Sequence, residues 1–251
     1  MTNIRLEIEY DGTDYSGWQS QESAPHVATV AGMLTKAVST VVNEEVDVFA
    51  ASRTDKGVHA MAQVVNFHTS SLISIDGLLR GVNNLLPDDI VINKAEKVSD
   101  DFHARHSAKG KTYIYRIYNE RDRSPLVGRY SWFIYNELDV DKMRESLQYF
   151  IGEMDFSSFR GPKSGDGSSV REILDFTVEE RPFETGSIIE FTIKGTGFLR
   201  FMVRSMIGTV VRVGRGLIAP HDIKTIIEAR NRQAAFETAP ARGLFLKEVY
   251  Y

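Results

Sequence analysis

The amino-acid sequence predicts an α+β protein made of two ferredoxin-like halves with mostly antiparallel sheets. Residues 4–10 alternate strictly between apolar and polar, a pattern that is typical of a half-buried strand. The first half then orders its elements as strand, helix, strand, strand, helix, strand, which is the order of a ferredoxin-like unit. The second half begins again with a strand and continues with a similar α+β pattern. We therefore expect two halves, residues 1–104 and residues 105–251.

Periodicity and turn residues predict the elements of the first half. Asp11 and Gly12 favour a turn after the first strand. Val30, Leu34 and Val38 recur at helical spacing, and Pro87 stops the second helix. After residue 10 the predicted elements are a helix at 29–42, strands at 46–51 and 62–68, a helix at 74–86 and a strand at 90–98.

The same signals predict the elements of the second half. Asp139 is suited to be the N-cap of the first helix in this half, because its carboxylate can accept from a free backbone N–H. Pro182 and Gly186 bridge two long strands. The predicted elements are strands at 111–118 and 131–135, a helix at 140–151, strands at 170–180 and 188–195, helices at 199–213 and 221–230, and a strand at 244–251.

Composition excludes several kinds of site. The sequence has no cysteine, which excludes disulfide bonds and thiolate metal sites. Its histidines show no ligand spacing and its glycines form no phosphate loop after a strand, so we expect neither a metal nor a nucleotide cofactor. No stretch approaches the roughly 20 apolar residues of a membrane helix, and the N-terminus lacks the apolar core of a signal peptide. We expect a soluble, cytoplasmic protein with no membrane contact.

The net charge of −4 argues mildly against nucleic acid as a partner, but the charges are unevenly distributed. Residues 103–129 contain seven Lys or Arg and two acids, and residues 195–216 contain four Arg and no acid. Phosphate contacts need only a local basic surface. These segments therefore permit a nucleic-acid partner, although composition alone favours solvated faces as their explanation.

Asp55 is the candidate nucleophile. It follows a predicted strand and stands between Arg53 and Lys56, and a nearby cation keeps a carboxylate ionised and able to attack an electrophile. However, Asp55 and Gly57 also favour an ordinary surface turn. The local sequence leaves both interpretations open.

A longer run around Asp55 resembles the signature of the A-type tRNA pseudouridine synthases, Gly-Arg-Thr-Asp-x-Gly-Val-His-Ala. In this sequence the run is Ser52-Arg53-Thr54-Asp55-Lys56-Gly57-Val58-His59-Ala60. Further landmarks of that family follow in order along nearly the whole chain: Tyr10-Asp11-Gly12-Thr13, Gly17-Trp18-Gln19, Asn84-Leu85-Leu86-Pro87-Asp88-Asp89-Ile90, Asp101-Phe102-His103-Ala104-Arg105, Lys111-Thr112-Tyr113-Ile114-Tyr115, Asp155-Phe156-Ser157-Ser158-Phe159, Phe201-Met202-Val203-Arg204, Val213-Gly214-Arg215-Gly216 and Ala239-Pro240-x-x-Gly243-Leu244.

The resemblance implies the pseudouridine synthase fold, in which the two halves form a central cleft. It also implies an isomerase that detaches uracil from its ribose in tRNA and reattaches it through carbon 5. Members act in the anticodon stem-loop, at tRNA positions 38, 39 and 40, with no metal or organic cofactor. They act as homodimers in which one tRNA contacts both subunits.

The resemblance also assigns roles to four residues. Asp55 is the nucleophile and attacks either C1′ of the sugar or C6 of the base, two routes that remain open. Tyr113 stacks on the base, although a tyrosine in a strand is common without any such role. Arg204 pairs with the catalytic carboxylate, whereas Arg53 contacts phosphate and helps to extrude the nucleotide. The sequence also allows the opposite assignment, in which Arg53 pairs with the carboxylate and Arg204 contacts phosphate.

Several positions depart from the family pattern: Ser52 replaces a glycine, Lys56 an alanine, Ala31 a glutamine and His106 a phenylalanine, and the loop at 161–167 differs in length and composition. None of these removes a predicted site residue, but they leave the choice of target uridine open. Two other classes of protein also remain as alternatives. One is a non-catalytic RNA-binding protein that retains the fold, and the other is a dimeric scaffold with no RNA partner.

Overall fold

The computed structural model describes residues 1–19, 27–162, 167–183 and 186–251. The chain forms two compact units, Met1–Lys109 with Phe245–Tyr251, and Gly110–Leu244. The sequence interpretation divides the chain between residues 104 and 105 and assigns the closing strand to the second half. In the structure this strand lies in the first unit. A division at one position assigns every later residue to the second half. It therefore cannot place a C-terminal strand in the first unit, where that strand pairs with residues far earlier in the chain.

Ten strands and five α-helices are present in the described residues. In chain order the strands are β1 (Thr2–Tyr10), β2 (Phe49–Ala50), β3 (His59–Thr69), β4 (Ile90–Val98), β5 (Gly110–Asn119), β6 (Trp132–Ile134), β7 (Gly152–Asp155), β8 (Val170–Phe183), β9 (Gly186–Gly195) and β10 (Leu244–Tyr250). The helices are α1 (Val30–Val42), α2 (Ile75–Asn83), α3 (Val140–Leu147), α4 (Met202–Gly214) and α5 (Asp222–Glu228). None of these helices is long and apolar enough to cross a membrane.

The sheet of the first unit has the strand order β4-β1-β3-β10, with the short β2 on β3. β1 pairs antiparallel with both β3 and β4, whereas β10 runs parallel to β3. Helices α1 and α2 contact each other and bury their apolar faces, and each begins at a hydroxyl cap. Thr29 Oγ1 accepts from Gly32 N at 3.2 Å and Ser74 Oγ from Gly77 N at 3.1 Å. These caps confirm the predicted helix starts.

The sheet of the second unit has the order β5-β9-β8-β7, all antiparallel, and β6 pairs parallel with β5. Helix α3 packs on α4, whose residues are almost all buried. The predicted N-cap is confirmed, since Asp139 Oδ1 accepts from Lys142 N at 3.0 Å. Both units are mixed α+β with mostly antiparallel pairing, which confirms the predicted fold class.

Several predicted elements differ from the observed ones, most clearly the following. Only Phe49–Ala50 of the predicted strand 46–51 pairs with β3. The helix predicted over 140–151 ends at Leu147, after which residues 148–150 tighten into a 3₁₀ turn. β8 continues through Pro182 to Phe183, and β7 was not predicted at all. The helix predicted from residue 199 begins at Met202, because Phe201 has a left-handed φ of 62° that no α-helix accommodates.

Asp155, at the end of β7, stabilises the turn that follows it. Its Oδ1 accepts from the hydroxyl of Ser157 at 2.6 Å and from Ser157 N at 2.9 Å. The Ser157 hydroxyl, assisted by the backbone N–H and by the charges of Arg230 and Arg160, holds the pKa of Asp155 below its usual value, although partial burial opposes the shift. Phe156 and Phe159, in and next to this turn, are both fully buried.

We expect Asp155→Asn to weaken the dependence of stability on acid pH. Because the folded pKa is depressed, ionised Asp155 stabilises the fold above its unfolded pKa of about 3.9, and this contribution is lost as the pH falls through the folded pKa. Thermal unfolding at pH 7 and at successively lower pH values measures the effect. Asp141→Asn, at a side chain that is 94% exposed, is the matched control. If the unfolding temperature falls equally with pH in Asp155→Asn and in wild type, Asp155 does not have this role.

Candidate active site

Asp55 lies in the segment between β2 and β3, here called the Asp55 loop (residues 51–58). Asp55 is half-buried, Thr54 is buried, and Arg53 and Lys56 are exposed. The loop closes on a turn in which Val58 N donates to Asp55 O at 3.1 Å, and Gly57 takes a φ of 76°. A glycine at this position tolerates the left-handed backbone that the turn requires. The predicted turn chemistry and the candidate nucleophile therefore occupy the same residues.

The N-terminal end of the Asp55 loop is fixed by a buried glutamine of β3. Gln63 Oε1 accepts from Ser52 N at 3.2 Å, and Gln63 Nε2 donates to Ser52 O at 2.7 Å. Ala51 N also donates to Val64 O at 2.8 Å. The two bonds to position 52 use its backbone, so they do not depend on the serine that stands there instead of the family's glycine.

The centre of the Asp55 loop is fixed by residues 10–18, the segment that follows β1. The Tyr10 hydroxyl lies 2.8 Å from Thr54 Oγ1, and Trp18 N donates to Thr54 O at 3.0 Å. Gly17, with a φ of 96°, lies so close that a Cβ there would be 2.8 Å from Thr54 O and 3.2 Å from the carbonyl carbon of Asp55. The backbone that carries Asp55 is thus held from two sides.

His59, at the start of β3, is buried and bonded to the turn after β1. Its Nδ1 accepts from Gly12 N at 3.0 Å and lies 3.0 Å from Asp11 Oδ1. The ring stacks on Phe245 with centroids 4.6 Å apart. These contacts connect β1, β3 and β10 beside the Asp55 loop and give His59 a structural role.

Tyr113 lies in β5 of the second unit, opposite Ile193 of β9. Its side chain is 6% exposed and meets the ring of Phe198 edge-on, with centroids 5.1 Å apart. Two residues on, Tyr115 is fully buried, and its hydroxyl donates to Pro240 O at 2.8 Å. Burial raises the pKa of Tyr115, while the charges of Arg204 and Arg242 act in the opposite direction. Tyr115 remains a neutral phenol and a hydrogen-bond donor.

Arg204 lies in the first turns of α4 and is half-buried. Its Nε donates to Ala239 O at 2.7 Å, Ala239 N donates to Arg204 O at 3.0 Å, and its guanidinium lies 5.0 Å from the ring centroid of Phe201. An arginine in an apolar helix requires such partners, because burying an uncompensated charge is costly. The carbonyl of Ala239 and the ring of Phe201 are two of its partners.

Residues 237–243 hold Arg204 and Tyr115 together. The segment contacts α4 so closely that a Cβ on Gly208 would be 1.8 Å from Glu237 O. It contacts β5 as closely, since a Cβ on Gly243 would be 2.7 Å from Cζ of Tyr115. The landmark Ala239-Pro240-x-x-Gly243 therefore has a structural reason: one carbonyl accepts from the candidate Arg204, the next accepts from the buried Tyr115, and a glycine leaves room for the ring of Tyr115.

The structure places two of the four predicted site residues in each unit. Arg53 and Asp55 share one loop of the first unit, and Tyr113 and Arg204 belong to the second unit. The sequence interpretation missed the supporting residues Thr54 and Gly17 and the carbonyl of Ala239. Gly17 and Ala239 lie within family landmarks, which could have drawn attention to these positions. The sequence does not show, however, which backbone carbonyl accepts a hydrogen bond. Among the described residues, no group of three or more His, Asp or Glu is placed to hold a metal.

The chain was compared with known proteins. The family model described as tRNA pseudouridine synthase matches residues 7–107 and 147–251. The chain is 46% identical to tRNA pseudouridine synthase A of Acetivibrio thermocellus over 251 residues, which is all of both chains. It is 41% identical to tRNA pseudouridine synthase A of Thermoanaerobacter sp., again over all of both chains, and 40% identical to that of Francisella tularensis subsp. holarctica over 100% of this chain and 95% of the other.

These matches extend over the whole chain and agree with the resemblance seen around Asp55. The chain therefore belongs to the tRNA pseudouridine synthase family and is an isomerase. A crystal structure of a Cbf5–Nop10–Gar1 complex is similar over 83% of this chain and 45% of that chain, at 11% identity and a TM-score of 0.37. That likeness is too weak to add to the family assignment.

Proposed function

We propose that this enzyme converts uridine to pseudouridine at positions 38, 39 and 40 of the tRNA anticodon stem-loop, with Asp55 as the nucleophile. The observation that carries the proposal is the way Asp55 is held: its half-buried carboxylate lies on a loop whose backbone is bonded at Ser52 and at Thr54. Covalent catalysis requires a carboxylate in a fixed position, because a misplacement of about 1 Å can cost on the order of 100-fold in rate.

The isomerisation breaks the bond between N1 of uracil and C1′ of ribose and joins C5 to C1′, while the hydrogen on C5 leaves to solvent and N1 takes up a proton. Attack at C1′ forms an ester that holds the ribose while the detached base turns, whereas attack at C6 bonds the base itself to Asp55. The same carboxylate is released at the end, so the enzyme consumes no co-reactant. This chemistry agrees with a site that requires only ionised and aromatic side chains.

Three further residues complete the proposed site. Tyr113 supplies the ring that stacks on the extruded base, an interaction of roughly 1–3 kcal/mol per base in other proteins. Arg204 supplies the counter-charge that keeps Asp55 ionised, and the bond to the Ala239 carbonyl orients its guanidinium for that task. Arg53 is exposed on the Asp55 loop and contacts phosphate while the nucleotide is extruded.

Release of tritium from tRNA labelled at C5 of uridine tests the activity directly. Wild-type enzyme should release label from tRNAs with uridine at 38, 39 or 40, and not from transcripts in which these positions are cytidine. Mapping pseudouridine in tRNA from cells with and without the gene tests the same assignment in vivo. Release that persists after all three uridines are replaced would contradict the proposed target positions.

We also propose that the enzyme acts in the cytoplasm as a homodimer. The chain is weakly acidic overall, with basic stretches at 103–129 and 195–216, and two copies provide twice this basic surface to one tRNA. Light scattering should give a mass twice that of one chain, and tRNA affinity should fall steeply between low and physiological salt. A monomer that binds tRNA independently of salt would contradict both points.

A further inference from the structure

A row of rings lies on the surface of the first unit, outside the Asp55 loop. The ring centroids of Phe49 and His103 are 5.1 Å apart, and those of His103 and His106 are 4.4 Å apart. Phe49 is 41% exposed and His106 is exposed, as is Arg105 beside them. We call the side chains of Phe49, His103, Arg105 and His106 the His103 platform.

Two buried asparagines fix the segment that carries the His103 platform. Asn3 and Asn66 are 0% and 1% exposed. Asn3 Nδ2 donates to Ser99 O at 2.9 Å and to Phe102 O at 2.8 Å, and Asn66 Nδ2 donates to Asn3 Oδ1 at 3.0 Å. Asn66 Oδ1 accepts from Ala104 N at 2.8 Å. Buried amides are costly unless satisfied, and here their bonds hold an exposed segment in one conformation.

The ring of His103 is itself oriented by backbone bonds. Its Nδ1 accepts from Arg105 N at 3.1 Å, and the segment is closed by a bond from Ser107 N to His103 O at 2.9 Å. Partial burial, with the nearby His106 and Arg105, lowers the pKa of His103, so its ring is neutral at pH 7. Because it is neutral and fixed between Phe49 and His106, the His103 ring is suited to stack on a base and not to attract a phosphate by its charge.

The charges around these rings favour stacking over phosphate attraction alone. Arg105 is exposed, but the exposed acids Asp100 and Asp101 belong to the same segment. A site for phosphate only would be expected to lack such acids. Proteins that bind unpaired nucleotides combine aromatic rings and Arg planes with a positively charged groove, and here the rings and Arg105 supply the stacking part of that combination.

We propose that the His103 platform binds unpaired nucleotides of the RNA substrate, other than the target uridine, by stacking their bases on Phe49, His103 and His106. Arg105 contacts the neighbouring phosphate. This inference rests on the proposed function, because it takes tRNA as the substrate. His106 stands where the family has phenylalanine, so this chain keeps a ring at that position and adds a hydrogen-bonding edge.

The test is the dissociation constant of a fluorescein-labelled tRNA transcript, measured by anisotropy at one fixed salt concentration in an Asp55→Asn background that prevents turnover. Phe49→Ala and His106→Ala should each weaken binding about tenfold, whereas His106→Phe, which keeps the ring, should bind like its parent. Phe49→Leu keeps apolar volume but not the ring and should weaken binding as Phe49→Ala does. His221→Ala removes an exposed histidine elsewhere and is the matched control.

Each outcome decides one point. In enzyme with Asp55 intact, the same substitutions should raise KM, and unchanged unfolding temperatures exclude a merely structural effect. If the parent binds tRNA and folded Phe49→Leu and His106→Ala bind within twofold of it, the His103 platform has no such role, while the proposed function stands. If wild type releases no tritium from labelled tRNA, the proposed function fails, and this inference fails with it.

Discussion

Asp55→Asn should lower the rate of tritium release on the order of 10⁶-fold, the scale seen when a serine protease loses its nucleophile. The amide has nearly the same shape as the carboxylate but is neutral and a far weaker nucleophile. The bonds that hold the Asp55 loop are made by the backbone at Ser52 and Thr54, by the Gln63 side chain and by the Tyr10 hydroxyl. We therefore expect the loop to keep its conformation, so tRNA affinity and unfolding temperature should stay near those of wild type.

Asp47→Asn is the matched control, because Asp47 is an exposed carboxylate of the same unit, shortly before β2. It changes the charge of the first unit by the same amount as Asp55→Asn. A full loss of activity in Asp55→Asn with wild-type activity in Asp47→Asn separates nucleophilic chemistry from charge. Residual activity of Asp55→Asn within tenfold of wild type would remove Asp55 from the role of nucleophile.

Much of the fold could be predicted because local signals and tertiary contacts agree. Alternation predicts β1, apolar residues at helical spacing predict α1 and α2, and the identity of Asp139 predicts the cap that its bond with Lys142 N forms. The unit to which a strand belongs is harder to predict, because it depends on contacts between residues far apart in the sequence. β10 is a strand of the first unit because Phe245 pairs with His59, 186 positions earlier, and no local pattern encodes that partner.

The candidate site divides in the same way. Asp55 and Tyr113 could be selected because their chemistry is carried by side chains within recognisable runs. The apolar neighbours of Arg204 in the sequence imply that its charge needs a partner. They do not identify that partner. The Ala239 carbonyl and the contact of Gly17 with Thr54 are backbone features that only the folded chain reveals. The positions that hold the backbone around Asp55 are thus less visible in the sequence than the candidate side chains.

Gly17→Ala should lower kcat on the order of 100-fold and reduce the free energy of unfolding by about 1–3 kcal/mol. At a φ of 96° an L side chain is strained, and its Cβ would be 2.8 Å from Thr54 O and 3.1 Å from Lys56 N. These neighbours are backbone atoms, so relief requires the Asp55 loop itself to shift. The same shift weakens the bond from Trp18 N to Thr54 O, which is 3.0 Å in the intact chain. Single-turnover tritium release and urea unfolding measure the two effects.

Ser16→Ala is the matched control, because it alters the adjacent residue while keeping a Cβ in an ordinary backbone conformation and preserving the bond from Ser16 N to Ala28 O. It should retain kcat within about twofold, since no backbone atom has to move. If Gly17→Ala lost stability but kept kcat within threefold of wild type, the close approach of Gly17 would serve folding alone. A loss of kcat larger than the loss of folded protein would show that residues 10–18 set the position from which Asp55 attacks.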